Sequence, residues 1–149
     1  MATYYGVNRT LANTPTGSNI TDPGVLEGKL RVMLDEYEAS AVAIGSIIEI
    51  GKELPKGARV VDLVMITDAL GAATIDIGDY EDADRYNADA DVSAGAAHNI
   101  DTIGGLNYEV DETYTGKTVG SGTDRQITLT TAGAEINGTI KIAVLYTVE

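Results

Sequence analysis

The sequence predicts an all-β fold, a jelly-roll-like antiparallel β-sandwich that follows an extended N-terminal arm. Short runs in which apolar and polar residues alternate are typical of strands with one buried face. Gly, Pro, Asn and Asp separate these runs at short intervals, as turns require. No segment has a convincing 3.6-residue apolar period. About seven short strands without a helix favour a sandwich, and a jelly roll is one of the few ways to arrange them.

The composition indicates one domain with an aliphatic core. The chain has 149 residues, 44% of them apolar, and it contains neither Phe nor Trp. This length is sufficient to bury a core without disulfides or a metal. Val, Ile, Leu, Ala and Tyr must therefore fill the interior.

The charge balance excludes several classes of partner. With 10 basic and 23 acidic residues the formal charge is −13, which disfavours nucleic acid and anionic membranes.

The absence of cysteine excludes disulfides, a thiolate nucleophile and a cysteine-based zinc site. No window approaches the roughly 18 apolar residues of a membrane span, and no signal peptide is recognisable, so we expect assembly in the cytoplasm.

Residues 1–24 are predicted to form the arm. They are rich in Thr, Asn, Gly and Pro, have no period, and carry only Arg9 and Asp22 as charges. Fully extended, such a segment would reach on the order of 75 Å, far enough to lie across a neighbouring subunit. A flexible terminus without a contact is the alternative. The candidate contact residues of the arm are Tyr4, Tyr5, Val7, Arg9 and Leu11.

The sandwich domain, residues 25–149, is predicted to open with two strands and a turn. The first strand begins at Lys29, with apolar side chains at even positions. A second strand is expected at Ser46–Ile50, followed by a Pro- and Gly-containing turn at Lys52–Gly57.

Ala58–Thr67 is apolar at nearly every position and dense in β-branched residues, so we expect a strand that is buried on both faces. One face of a sandwich strand meets the core, and the other would then meet a second subunit. Val61 and Leu63 are the candidate residues for this self-association. The alternative is a short helix, which the poor helix preference of Val and Ile opposes.

The later elements follow the same two-residue period. They are a strand at Ala73–Gly78, an acidic, alanine-rich loop at Asp79–Asp91, a weak strand at Leu106–Val110, a strand at Arg125–Thr130, a turn at Gly133–Gly138 and a final strand at Thr139–Val148.

The acidic loop invites a calcium hypothesis, because hard cations bind several carboxylate oxygens. The spacing does not fit an EF-hand. With Asn87, Asp89 and Asp91 as the first ligands, Val92 stands where glycine is required and His98 where glutamate is required. A solvated loop is the favoured interpretation.

No pattern predicts catalysis or a cofactor. Gly116–Thr118 resembles the end of a phosphate-binding loop, but the leading glycine is replaced by Asp111. His98 is the only histidine, and no serine stands in a Gly-x-Ser-x-Gly elbow. Tyr80 and Tyr86 flank the acidic loop and could stack on a sugar ring, which leaves a carbohydrate-binding receptor module as an alternative.

Three stretches carry a resemblance to a known family, namely Ser46–Tyr86 with its LPKGARV turn and IDIGD and DADRY motifs, Ile127–Ala134, and Gly138–Thr147. Over residues 26–149 the chain resembles the small jelly-roll virion proteins that decorate or cement the heads of tailed bacteriophages. The resemblance implies a non-enzymatic structural protein, often trimeric, that binds the major capsid protein on the outer capsid surface. A domain of a tail, fibre or spike base is the structural alternative.

Overall fold

The computed structural model describes residues 28–101, 105, 108–110 and 125–148. The predicted arm at 1–24, with Tyr4, Tyr5, Val7, Arg9 and Leu11, lies outside these residues. None of the described residues belongs to a helix. The described strands are β1 (Lys29–Val42), β2 (Ile47–Ile50), β3 (Arg59–Thr67), β4 (Thr74–Gly78), β5 (Asn87–Asp91), β6 (Ala97–Asn99), β7 (Tyr108–Glu109), β8 (Ile127–Ala132) and β9 (Ile136–Val148).

The strands form two antiparallel sheets, which confirms the predicted all-β sandwich. The first sheet has the order β1-β9-β3-β6, with the short β7 also paired to β3, and the second has the order β2-β8-β4-β5. The first strand thus lies beside the last, and the chain passes repeatedly between the sheets, as in a jelly roll. Strand β1 is an edge strand, since β9 is its one partner in the part of the chain that the structure describes.

The core lies between the two sheets and is aliphatic, as the composition predicts. In β2 and in most of β3, β4 and β9, every second residue is buried in the core, because side chains alternate across a pleated strand. Burying one such side chain stabilises the fold by about 1.5–3 kcal/mol. The fully buried members include Leu63 and Met65 of β3, Ile75 and Ile77 of β4, Ile127 and Leu129 of β8, and Ile140 and Val144 of β9.

The predicted loop at Asp79–Asp91 is wrong in its second half, because β5 occupies Asn87–Asp91. Alanine and aspartate have poor strand preference, so composition alone favoured a loop. Tertiary contacts override this preference. Strand β5 pairs with β4, and the buried Asn87 amide donates a hydrogen bond to the carbonyl oxygen of Asn99 at 2.8 Å.

Strand β3 contains a bulge that resets its alternation. Its register with β9 shifts between Val60 and Asp62, so Val61 is the extra residue. Val60 and Leu63 consequently both face the core, and each has 0% of its surface exposed. Of the two candidate residues for self-association, Val61 is therefore half-buried at the bulge and Leu63 lies in the core.

The last turn is shorter than predicted. Strand β9 begins at Ile136, which is fully buried, so the turn ends before Gly138. Gly133 has a φ of +76°, and a Cβ atom there would lie 2.7 Å from the carbonyl oxygen of Ala72. Glycine is thus required at this position by both backbone conformation and space.

Candidate interaction surface

The outward side of the first sheet is aliphatic and exposed, and we call it the apolar face. Leu34 has 74% of its surface exposed, Leu30 56%, Val32 55% and Ile66 54%. The register places Leu34, Ala143 and Val64 side by side on β1, β9 and β3. The members of the apolar face are Leu30, Val32, Leu34, Val64, Ile66, Ala143 and Leu145.

A groove crosses the apolar face above β9. Its floor includes Ala143, whose small side chain leaves space between the taller Leu34 and Ile66 on either side. The groove has a volume of about 510 Å³. An ion pair lines one end, where Lys141 Nζ lies 3.2 Å from a carboxylate oxygen of Glu36.

The edge of β1 adjoins this groove. We call the row of Leu30, Val32 and Leu34 the ridge, because these side chains stand outward along the edge strand. Near the middle of β1, the Asp35 carboxylate accepts hydrogen bonds from the backbone N–H of Glu36 at 2.8 Å and of Gly51 at 2.6 Å. A long edge strand with an exposed apolar row is a typical site of association with another chain.

The outward side of the second sheet has a different composition, and we call it the polar face. Its members are Ile47, Glu49, Thr74, Asp76, Asp91 and Thr130. The Tyr80 hydroxyl donates a hydrogen bond to the Glu49 carboxylate at 2.7 Å. Acidic and threonine side chains of this kind suit contact with solvent.

The acidic loop is organised around a buried carboxylate. The Asp79 side chain is 0% exposed and forms an ion pair with Arg85, whose side chain is 12% exposed. Asp79 also accepts hydrogen bonds from the backbone N–H of Glu81 at 2.8 Å and of Asp82 at 2.9 Å. Burial raises the pKa of Asp79 above its ordinary value, while Arg85 opposes that rise. These contacts satisfy the carboxylate internally, so its role is to hold the loop.

The carbohydrate-binding alternative loses one of its two candidate stacking residues at this loop. Tyr86 is fully buried in the core and cannot stack on a sugar, so its selection as a stacking residue is wrong. Within the described ranges, no group of three His, Asp or Glu residues could hold a metal ion.

The described residues also contain no helix that is long and apolar enough to cross a membrane. His98, the one histidine of the sequence, lies in β6 opposite Met65 and is partly buried.

The structure places the two residues that the sequence selected on β3 in different surroundings. Val61 is the half-buried bulge residue and Leu63 is in the core, whereas Val64 and Ile66 face outward. The ridge was missed altogether. The sequence of β1 contained a signal for it, because both sides of this strand carry apolar residues. Leu30, Val32 and Leu34 lie on one side, and Met33 and Tyr37 lie on the other.

Two solved structures share this fold. A chain of the capsid asymmetric unit of cyanophage Pam1 is 20% identical, with a TM-score of 0.66, and the similarity covers 82% of this chain and 86% of that one. A chain of the capsid of Ralstonia phage GP4 is also 20% identical, with a TM-score of 0.60 and the same coverage. No protein-family model and no curated protein sequence matches the chain.

Proposed function

We propose that this chain is a non-enzymatic structural protein of a tailed-bacteriophage virion that decorates the head and cements its shell. The observation that carries the proposal is the shared fold with chains of two phage capsid assemblies, which extends over 82% of this chain. An exposed apolar face on a strongly acidic molecule agrees with this role, because such a surface needs a protein partner.

In this role the function is cumulative binding. The protein contacts the outer surface of the major capsid protein, and many copies, each with a modest contact, raise the force needed to separate neighbouring shell subunits. We propose a homo-oligomer, with a trimer favoured, that attaches through the arm at residues 1–24. No cofactor, nucleic acid or membrane takes part, and the protein is assembled in the host cytoplasm.

The copy number per virion tests the proposal. Quantitative mass spectrometry of purified virions, referenced to the major capsid protein, should find on the order of hundreds of copies in a simple ratio to the shell subunit, as closed symmetry requires. About a dozen copies would assign the chain to a tail, fibre or spike base instead. Its absence from virions would contradict any structural role there.

Deletion of residues 2–24 tests the role assigned to the arm. Because this segment lacks the apolar periodicity of a core element, the truncated protein should fold and unfold like the full chain. Its occupancy on heads that lack the protein should fall at least tenfold at a fixed protein concentration. A truncated protein that fails to fold, or that binds heads undiminished, would show that the arm does something else.

A further inference from the structure

We propose that the apolar face binds a second copy of this chain, with the ridge of one copy seated in the groove of the next. The contact deepens the proposed function and rests on it, since it names the surface through which the copies of an oligomer meet. Three features of the described residues support it, namely the charge of the face, its area and its shape.

Charge favours an identical partner at this face. Two copies that each carry a formal charge of −13 repel one another least where their contact contains no uncompensated acidic side chain. The exposed centre of the apolar face is aliphatic. The acidic residues beside that centre have partners within their own chain: Glu36 pairs with Lys141, the Asp35 carboxylate accepts hydrogen bonds from the backbone N–H of Glu36 and Gly51, and the Asp62 carboxylate accepts one from the N–H of Leu63 at 2.8 Å. The polar face, with three acidic residues, would repel a second copy.

The area of the face is sufficient for a specific contact. Its four most exposed side chains present on the order of 450 Å² of apolar surface, which is at the size where a patch on a monomer is often functional. The half-buried Val64 and Leu145 and the edge of β1 add to this area, toward the roughly 800 Å² per partner of a stable complex.

The face contains both a projecting row of side chains and a groove that can receive such a row. The ridge projects from the edge strand, while the groove of about 510 Å³ lies above Ala143 on the neighbouring strand. Ridge and groove lie side by side on one surface and share Leu34 at their border, so a contact of the ridge of one copy with the groove of the next is heterologous. Such contacts repeat from copy to copy and can close into a ring, which includes a trimer.

Sedimentation equilibrium of the purified full-length protein tests this contact. The parent should have the mass of an oligomer, which is two or more times the 15.6 kDa of one chain. Leu34→Lys on the ridge and Ala143→Leu, which fills the groove, should each raise the dissociation constant at least tenfold. Ile47→Lys is the matched control, because this isoleucine is 51% exposed on the polar face, and it should leave the mass unchanged. Circular dichroism verifies that each variant is folded.

Several results would overturn the inference. They are a parent that is monomeric at every concentration, a Leu34→Lys variant that associates like the parent, and equal losses in Leu34→Lys and Ile47→Lys. A parent that associates only after residues 2–24 are removed would assign the face to the chain's own arm and would also overturn it. Failure of the proposed function appears separately, in the virion copy number, which this assay does not measure.

Discussion

The two outward faces of the sandwich lie on similar sheets, yet they carry opposite kinds of side chain. Both sheets contribute aliphatic rows to the same core. On the outward side, the first sheet presents Leu34 and Ile66, whereas the second presents Thr74 and Asp76. Folding needs only the inward rows, so the outward rows are free to vary. In the proposed contact the apolar face meets a protein partner, whereas the polar face meets solvent.

The largest effect on the free energy of unfolding is expected when an inward residue of β3 is changed, and an outward residue of the same strand serves as the comparison. Leu63→Asp places a carboxylate at a position with 0% exposure, and the loss of core packing together with an unpaired charge should cost at least about 4 kcal/mol. Ile66→Asp, three residues along the same strand and 54% exposed, should cost less than about 1.5 kcal/mol. Urea unfolding followed by circular dichroism measures both.

This pair also tests the bulge at Val61. Without it, residue 63 would lie on the same side of β3 as residue 61 and would point outward, and residue 66 would point inward. The relative stabilities of the two variants would then be reversed. Equal losses would contradict the assignment of distinct inward and outward rows.

The next largest effect concerns the buried ion pair in the loop between β4 and β5. Arg85→Met would leave the Asp79 carboxylate buried without its counter-charge, which should destabilise the protein by about 3 to 5 kcal/mol at neutral pH. Asp79→Asn in the same background removes the stranded charge, so the double variant should recover part of this loss. A double variant as unstable as Arg85→Met would argue against charge burial as the cause.

The pH dependence of the Arg85→Met variant has a definite sign. Burial already raises the pKa of Asp79 in the folded state, and the loss of Arg85 raises it further. A carboxyl whose folded-state pKa exceeds its unfolded value favours folding when protonated, and it loses that advantage as pH rises through the interval between the two pKa values. The deficit relative to the parent should therefore be smaller at about pH 4 than at pH 7. An unchanged deficit would contradict this linkage.

The smallest effect is expected at the exposed end of the apolar face. Lys141 and Glu36 form an ion pair in which both side chains are more than half exposed, at 63% and 58%. Exposed pairs of this kind contribute between about 0 and 1 kcal/mol, and salt screens them. Lys141→Gln should change the free energy of unfolding by less than about 1 kcal/mol. A larger loss that persists in high salt would mean that Lys141 contributes through packing.

Several elements could be read from the sequence because strong local patterns coincide with what the fold requires. Strand β9 alternates Ile140, Ile142 and Val144 with polar or small residues, and these three side chains are buried as that pattern predicts. Strands β5 and β6 could not be predicted in this way. Strand β5 reads Asn-Ala-Asp-Ala-Asp and β6 is three residues long, so their structure depends on pairing with β4 and β3.

The candidate surface could be predicted only in outline. The density of aliphatic residues in Ala58–Thr67 correctly indicated a strand, and the burial of its second face by another subunit stays a prediction. It did not reveal that the bulge turns Leu63 inward and leaves Val64 and Ile66 outside. The ridge on β1 was harder still, because an alternating apolar row looks the same in sequence whether it faces a core or solvent.

Local alternation, turn residues and composition are sufficient to specify the fold class and the aliphatic core. Tertiary structure alone decided which of the apolar rows are buried. Either face of an apolar strand can pack against the core until its neighbours and its register are set. One bulged residue then reverses which side chains of the following segment point inward. The exposure of Leu34 and the burial of Leu63 are therefore properties of the assembled sandwich rather than of either segment.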